Sequence, residues 1–332
     1  MKKYFLISLC LILSRIAIAQ ELEGFKTFSS LAELLDSTNL NGKPIFLEAY
    51  LPDCPHCKAF IPTFNDPKVV EYLKTINAYQ LNMENSEIRS YIFSLKWNIT
   101  STPTFIFLDK DGNLIKILKA HSEINNPEEL IKTIKDALDP ENNPKVLLEK
   151  LNKGNYNGND LLRLAQYSKS IADTSINNQV VNIISQKIPK ENWNNVGMIK
   201  FMNESMIEEN NPIFYYMIHH LDQYYLKADT NSIRYIVENT INSNLFRPNN
   251  HLLSEERIQE MRFGLSAIGI SDEEIKARFI LVEVDKLFYQ GEVDKGIMKI
   301  KEFYKGESIP EKELEFWCNK IKFFNKDIDC PL

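Results

Sequence analysis

The sequence predicts an α/β domain followed by an all-helical domain. Between Lys43 and Leu138, strand-like and helix-like segments alternate, whereas from Pro144 onward long helical patterns dominate and no convincing strand appears. A turn-rich stretch, Asp139 to Pro144 (DPENNP), separates the two regimes and reads as a linker. The expected organisation is a leader over 1–19, an α/β domain over 20–139 and a helical domain over 140–332.

Within the first domain, Lys43 to Tyr50 (KPIFLEAY) is apolar and bounded by Asn41-Gly42 and Pro52, the pattern of a buried strand. Lys58 to Phe64 and Asp66 to Leu73 have helical spacing, and Pro62 is expected to kink or break the first of them because it lacks a backbone N–H. Ile76 to Met83 alternates as a second strand. Ser86 to Lys96 then places Ile88, Tyr91, Ile92 and Leu95 at helical intervals. Thr104 to Leu108 (TFIFL) and Leu114 to Leu118 flank the turn Asp109-Lys110-Asp111-Gly112 as a hairpin. Asn126 caps a last helix, with Pro127 at its first position, Glu128 and Glu129 in its first turn and Leu138 near its end.

In the second domain, Asn-rich breaks at Asn155 to Asn159 and at Asn249-Asn250 divide the helical patterns. Ile275 to Tyr289 and Lys295 to Tyr304, joined through Gly291 to Asp294, read as a helical hairpin. Such hairpins fit either a bundle or tetratricopeptide-like stacking, and no full signature recurs at a fixed period of about 34 residues.

The first residues have the layout of an export signal. Lys2 and Lys3 supply positive charge, Tyr4 to Leu13 form an apolar core that includes Cys10, and Ala17-Ile18-Ala19 offers a small-residue cleavage site before Gln20. The apolar run is about half the ~18 residues a membrane span needs, so no span is expected after cleavage. The formal charge of -6 falls to -9 once Lys2, Lys3 and Arg15 are removed. An acidic mature chain without a basic block is a poor candidate for nucleic acid or anionic lipid, so neither is expected as a partner and proteins are favoured. The expected location is periplasmic or secreted.

Four cysteines lie beyond the leader: Cys54, Cys57, Cys318 and Cys330. Cys54-Pro55-His56-Cys57 follows directly on the buried strand and opens a helix. There the unpaired backbone N–H groups and the dipole of the helix stabilise a thiolate at Cys54, lowering its pKa from about 8.5 into the range of roughly 3.5–7.5. His56, when protonated, adds a second stabiliser, and Cys57, one turn further in, is suited to resolve a mixed disulfide. Zinc would require further Cys or His ligands, and no second close pair follows; no metal or cofactor is expected.

These residues resemble the thioredoxin superfamily over roughly Phe25 to Leu138. Glu48, six positions before Cys54, stands where the family carries a buried carboxylate. Ser101-Thr102-Pro103-Thr104 matches its cis-proline loop, and the stretch PTFIFLDKDGNLI is typical of it. The resemblance implies a thioredoxin fold and thiol–disulfide exchange on protein thiols and disulfides. In that exchange Cys54 is the nucleophile, Cys57 the resolving thiol and Glu48 its proton acceptor, and Thr102 and a cis Pro103 engage an extended substrate strand. The Pro55-His56 dipeptide together with Glu48 is similar to periplasmic disulfide-forming oxidants. The short path from Cys57 to Pro103 and the stretch Thr63-Phe64-Asn65-Asp66-Pro67 are closer to compact exported modules, including reductant-side ones. Both directions of electron flow, and the redox partner, stay open.

The remaining polar and aromatic residues read as structural. His121 suits a surface or core position, Trp97 the core, and the aromatics Tyr215, Tyr216, Tyr224 and Tyr225 a helical core. His219 and His220 are adjacent on a helix and point to different faces, so they are not expected to share a metal. Cys318, on an expected helix from Glu311 to Phe324, and Cys330, on the tail Asp327 to Leu332, are expected to form a structural disulfide. A competing reading makes the chain a redox-regulated or scaffold binding module whose helical domain recruits a partner.

Overall fold

The computed structural model describes residues 22–28, 30–35, 41–247, 249–305, 308–325 and 330–332. The leader expected over 1–19 lies outside the described residues. The chain divides into two compact units, Met1–Arg163 and Leu164–Leu332.

The first unit is built on a four-stranded sheet in the order β2-β1-β3-β4. Strand β1 (Ile45–Tyr50) pairs in parallel with β2 (Asn77–Asn82) and antiparallel with β3 (Thr104–Leu108), which pairs antiparallel with β4 (Leu114–Lys119). The two central strands, β1 and β3, are buried along nearly their whole length, as expected of strands covered on both faces. Helices α1 (Leu31–Leu35) and α4 (Ser86–Ser94) cover the face that carries Ile45, Leu47, Ala49, Ile106 and Leu108. Helices α2 (Pro55–Phe64), α3 (Pro67–Leu73) and α5 (Pro127–Ala137) cover the other, packing Phe60, Phe64, Leu73, Leu130 and Ile134 against Phe46, Phe105 and Phe107.

Local chemistry sets the boundaries. Helix α2 starts at Pro55 rather than at Lys58, because Cys54 is its N-cap and proline at the first position has φ already suited to a helix. Pro62 lies inside α2 and does not break it; the helix ends two residues later at Phe64, with Asn65 as its C-cap, and Asp66 caps α3 by accepting from the Lys68 N–H at 2.9 Å. In the β3–β4 turn, Asp109 Oδ1 accepts from the N–H groups of Asp111 and Asn113, and Gly112 takes φ 79°, a left-handed value that glycine adopts without steric cost. Asn126 caps α5 by accepting from Glu129 N–H. The stretch read as a linker is a short turn at Pro140–Asn142, anchored where Asn142 Nδ2 donates to Asp136 O and Asn143 Nδ2 to Asp109 Oδ2. It is followed by α6 (Pro144–Asn152) and α7 (Gly158–Ser170), and Arg163 holds Asp136 with two hydrogen bonds of 3.1 and 2.7 Å.

The second unit is largely helical: α8 (Thr174–Lys187), α9 (Val196–Ser205), α10 (Pro212–His219), α11 (Leu221–Tyr225), α12 (Thr230–Leu245), α13 (Glu255–Ala267), α14 (Asp272–Tyr289), α15 (Val293–Phe303) and α16 (Glu311–Phe324). Buried Asn177 accepts from the Ile207 N–H and Asn244 donates to the Ile207 carbonyl, so two asparagines pin the turn between α9 and α10. Glu208 and Glu209 in that turn are buried and paired with Arg247 and Arg257, which offsets the cost of removing their charges from water. Helices α14 and α15 form a hairpin through Gly291, and Phe288, Ile297, Ile300, Trp317 and Ile321 make a cluster that includes α16. Cys318 and Cys330 are joined, their Cα atoms 5.1 Å apart, and Leu332 packs against the same cluster. Residues 326–329 of the tail lie outside the described residues.

Candidate active site

The site lies where β1 runs into α2. Strand β1 ends at Tyr50, and the Cys54 N–H donates to the Leu51 carbonyl at 3.1 Å, a tight turn that sets Cys54 at the N-cap. With φ -72° and ψ 116°, Cys54 points its sulfur back over the first turn of α2, where it accepts from the Cys57 N–H at 3.3 Å. That sulfur therefore fills the role an oxygen has in an ordinary N-cap, satisfying a donor with no partner inside the helix.

The loop before β3 meets it from the other side. Cys54 Sγ lies 3.6 Å from the Thr102 carbonyl, and the Thr102–Pro103 peptide bond is cis. The loop is held by Thr104 Oγ1 donating to the Ser101 carbonyl and by the Ala120 N–H donating to the Pro103 carbonyl. Pro55 and His56 are exposed, Cys54 and Thr102 half-buried, and Cys57 and Pro103 buried.

The two thiols differ in their environment. Burial alone would raise the Cys54 thiol, but hydrogen bonds from the Cys57 thiol, at Thr102 and from the backbone N–H groups of Cys57 and His56 outweigh it, and its pKa lies below the ordinary value. Burial, followed by the hydrogen bond to Cys54, pushes the Cys57 thiol up to about 11. One thiol is thus poised to ionise and the other to hold its proton.

Glu48 is 2% exposed in the middle of β1. Strand alternation puts it on the same face as Phe46, the face covered by α2, and its β3 partner Phe105 lies 5.5 Å, ring to ring, from Phe60, one turn beyond Cys57. Glu48 and the buried side of α2 therefore share one layer. Burial raises the Glu48 carboxyl to about 7, and a hydrogen bond from Gln80 Nε2 at 2.7 Å opposes part of that rise. Gln80 is the site neighbour that sequence reading did not single out. It stands opposite Glu48 only through the parallel register of β1 and β2, which no local pattern encodes.

The other singled-out residues lie apart. His121 is exposed with Glu123 nearby, Trp97 is half-buried among the apolar residues of the α1/α4 face, His219 contacts Glu260 and His220 the Tyr216 carbonyl. Among the described residues no group of three or more His, Cys, Asp or Glu is placed to hold a metal ion. No helix among them is long and apolar enough to cross a membrane.

A Cys-X-X-Cys pair at the start of a helix, opposite a Thr-Pro loop on a mixed sheet, is the arrangement of a thioredoxin-type dithiol site. Residues 31–138 match the family described as a thioredoxin-like domain, and this part of the chain is such a domain, followed by a helical region. The chain is 32% identical over 92 residues to the thiol:disulfide interchange protein DsbD of Haemophilus ducreyi, a match covering 27% of this chain and 16% of that relative's length. Among solved structures it is similar to thioredoxin f from spinach chloroplast, at 21% identity and a TM-score of 0.27, covering 36% of this chain and 97% of that one. It is also similar to Trxlp from Edwardsiella tarda, at 16% identity and a TM-score of 0.24, covering 32% and 94%.

Proposed function

We propose that this chain is an exported thiol–disulfide oxidoreductase acting on protein thiols and disulfides, with Cys54 and Cys57 as its redox couple. In this reading 1–19 is a cleaved leader, 20–139 the catalytic domain and 140–332 a helical domain, and the protein works in the periplasm or outside the cell with a redox partner of its own. The observation that carries the proposal is the Cys54 thiol, capping α2 below its ordinary pKa while Cys57 stays protonated and buried behind it.

In the reductive direction the Cys54 thiolate attacks a substrate disulfide; that S–S bond breaks, a mixed disulfide forms, and the first substrate sulfur leaves and takes up a proton. Cys57 must then ionise, and burial, the largest cause of its raised pKa, opposes this and calls for a proton acceptor beside it. The Glu48 carboxylate, half ionised near neutrality, takes the Cys57 proton. The Cys57 thiolate attacks Cys54, the intramolecular disulfide forms, and the second substrate sulfur leaves and is protonated. The substrate gains two electrons and the protein loses two; the same steps reversed oxidise a substrate dithiol. Thr102, beside Cys54, offers its backbone to an extended substrate segment, and Pro103 shapes that loop. Exposed His56 supports the thiolate when protonated.

Equilibration of the mature protein in glutathione buffers tests this reading. A single two-electron transition of the Cys54–Cys57 pair is expected, absent in Cys54→Ser; a potential near ~-120 mV marks an oxidant and one near ~-270 mV a reductant. A pair that shows no transition across that range would refute the proposal.

A further inference from the structure

We propose that Gln80 is a positioning residue for this exchange: from the neighbouring strand it holds the Glu48 carboxylate oriented and ionised, ready to take the proton of Cys57. The inference rests on the reading of Glu48 as the proton acceptor. Its geometry is direct. Glu48 and Gln80 are in-register partners on adjacent parallel strands, their side chains on the same face of the sheet, and Gln80 Nε2 donates to Glu48 Oε2 at 2.7 Å. A carboxylate 2% exposed has little water to orient or solvate it, so an amide donor on Oε2 both orients the group and favours its ionised form.

The surroundings leave this task to Gln80. Cys57 is buried on α2, the helix that covers this face, and Tyr50, two residues along β1, is an ionisable neighbour whose pKa is raised by burial first and then by the charges of Glu48 and Glu84. What α3 and α5 bury on this side is apolar: Val69, Leu73, Leu130 and Ile134. A neutral amide fits better here than a cation would. It favours the carboxylate without fixing it as a permanent ion pair, so the group can accept a proton and release it within each cycle.

The test uses the full chain and 5,5′-dithiobis(2-nitrobenzoate), an aromatic disulfide that reports each step by absorbance. The first thionitrobenzoate is released when Cys54 attacks, the second when Cys57 resolves the mixed disulfide. The second phase of the wild type is expected to inflect near pH 7, where Glu48 titrates. Gln80→Met removes the donor and disfavours the carboxylate, moving that inflection up by about one pH unit. Gln80→Lys supplies a cationic donor and moves it down. Both shifts should vanish in a Glu48→Gln background, while the first phase stays within about twofold in every variant, which also reports folding at the site. Shifts of the same sign in Met and Lys variants, or shifts that persist without the carboxyl, would overturn the role of Gln80. An unchanged second phase in Glu48→Gln alone would instead overturn the reading of Glu48. A Glu48→Gln effect with Gln80→Met indistinguishable from wild type would leave Glu48 its role and remove Gln80's.

Discussion

Replacing Glu48 by Gln should make the protein more stable in base and leave it nearly unchanged in acid. Burial raises the carboxyl from 4.5 to about 7 in the folded chain. Between those two values the native protein holds a proton that the unfolded chain has released, so folding is strongest below 4.5 and weakens as pH rises through about 7. The gap is about 2.5 units, and at about 1.4 kcal/mol per unit the ionised carboxylate costs about 3 kcal/mol above pH 8. Glutamine mimics the neutral acid in shape, and its amide oxygen accepts from Gln80 as the carboxyl does. Urea titrations of wild type and Glu48→Gln at half-unit pH steps from 4 to 9, followed by the signal of the first unit, should give matching stabilities near pH 4 and a difference growing to about 3 kcal/mol at pH 8, the variant being the more stable. A difference independent of pH, or one favouring the wild type in base, would refute the buried, ionising carboxyl on which the proton-transfer step depends.

Two further outcomes follow from the same structure. At pH 7, iodoacetamide should label Cys54 far ahead of Cys57, since one thiol lies below its ordinary value and the other near 11; peptide mapping that finds both labelled equally would contradict the asymmetry. The Cys318→Ser, Cys330→Ser pair should lower the stability of the helical unit by up to about 3 kcal/mol by freeing a short loop and loosening Leu332 from its cluster, read as a shift of the Trp317 fluorescence transition in urea; an unmoved midpoint would show the bridge contributes nothing.

What could be read from sequence was what is encoded locally. Cys54 to Cys57, Pro55 at the helix start and the Thr102-Pro103 pair sit within a few residues of the strands that place them, and the resemblance to the thioredoxin superfamily implied a buried carboxylate at Glu48. The hairpin Thr104–Leu108 with Leu114–Lys119 and the helix Glu311–Phe324 likewise carry their own turn and periodicity signals. Pro62 was expected to kink or break its helix; α2 runs through it, since Phe60 and Phe64 on either side anchor that turn in the core. The short helix Leu31–Leu35 shows too little periodicity to be read. Pairings set by tertiary contact were not legible at all: Gln80 with Glu48, 32 residues apart, or Glu208 with Arg247 and Arg257, 39 and 49 residues apart. Gln80, Glu208, Arg247 and Arg257 each look alone like a solvated polar residue, and only the fold brings the partner near.

The central claim, that Cys54 and Cys57 form a working dithiol couple, is tested most directly by turnover of a model protein disulfide with dithiothreitol as the electron source. The mature protein should accelerate the reduction, Cys54→Ser should abolish the acceleration, and Cys57→Ser should accumulate a mixed disulfide at Cys54 visible by mass spectrometry. Wild-type turnover no faster than that of the double Cys→Ser variant would contradict the account.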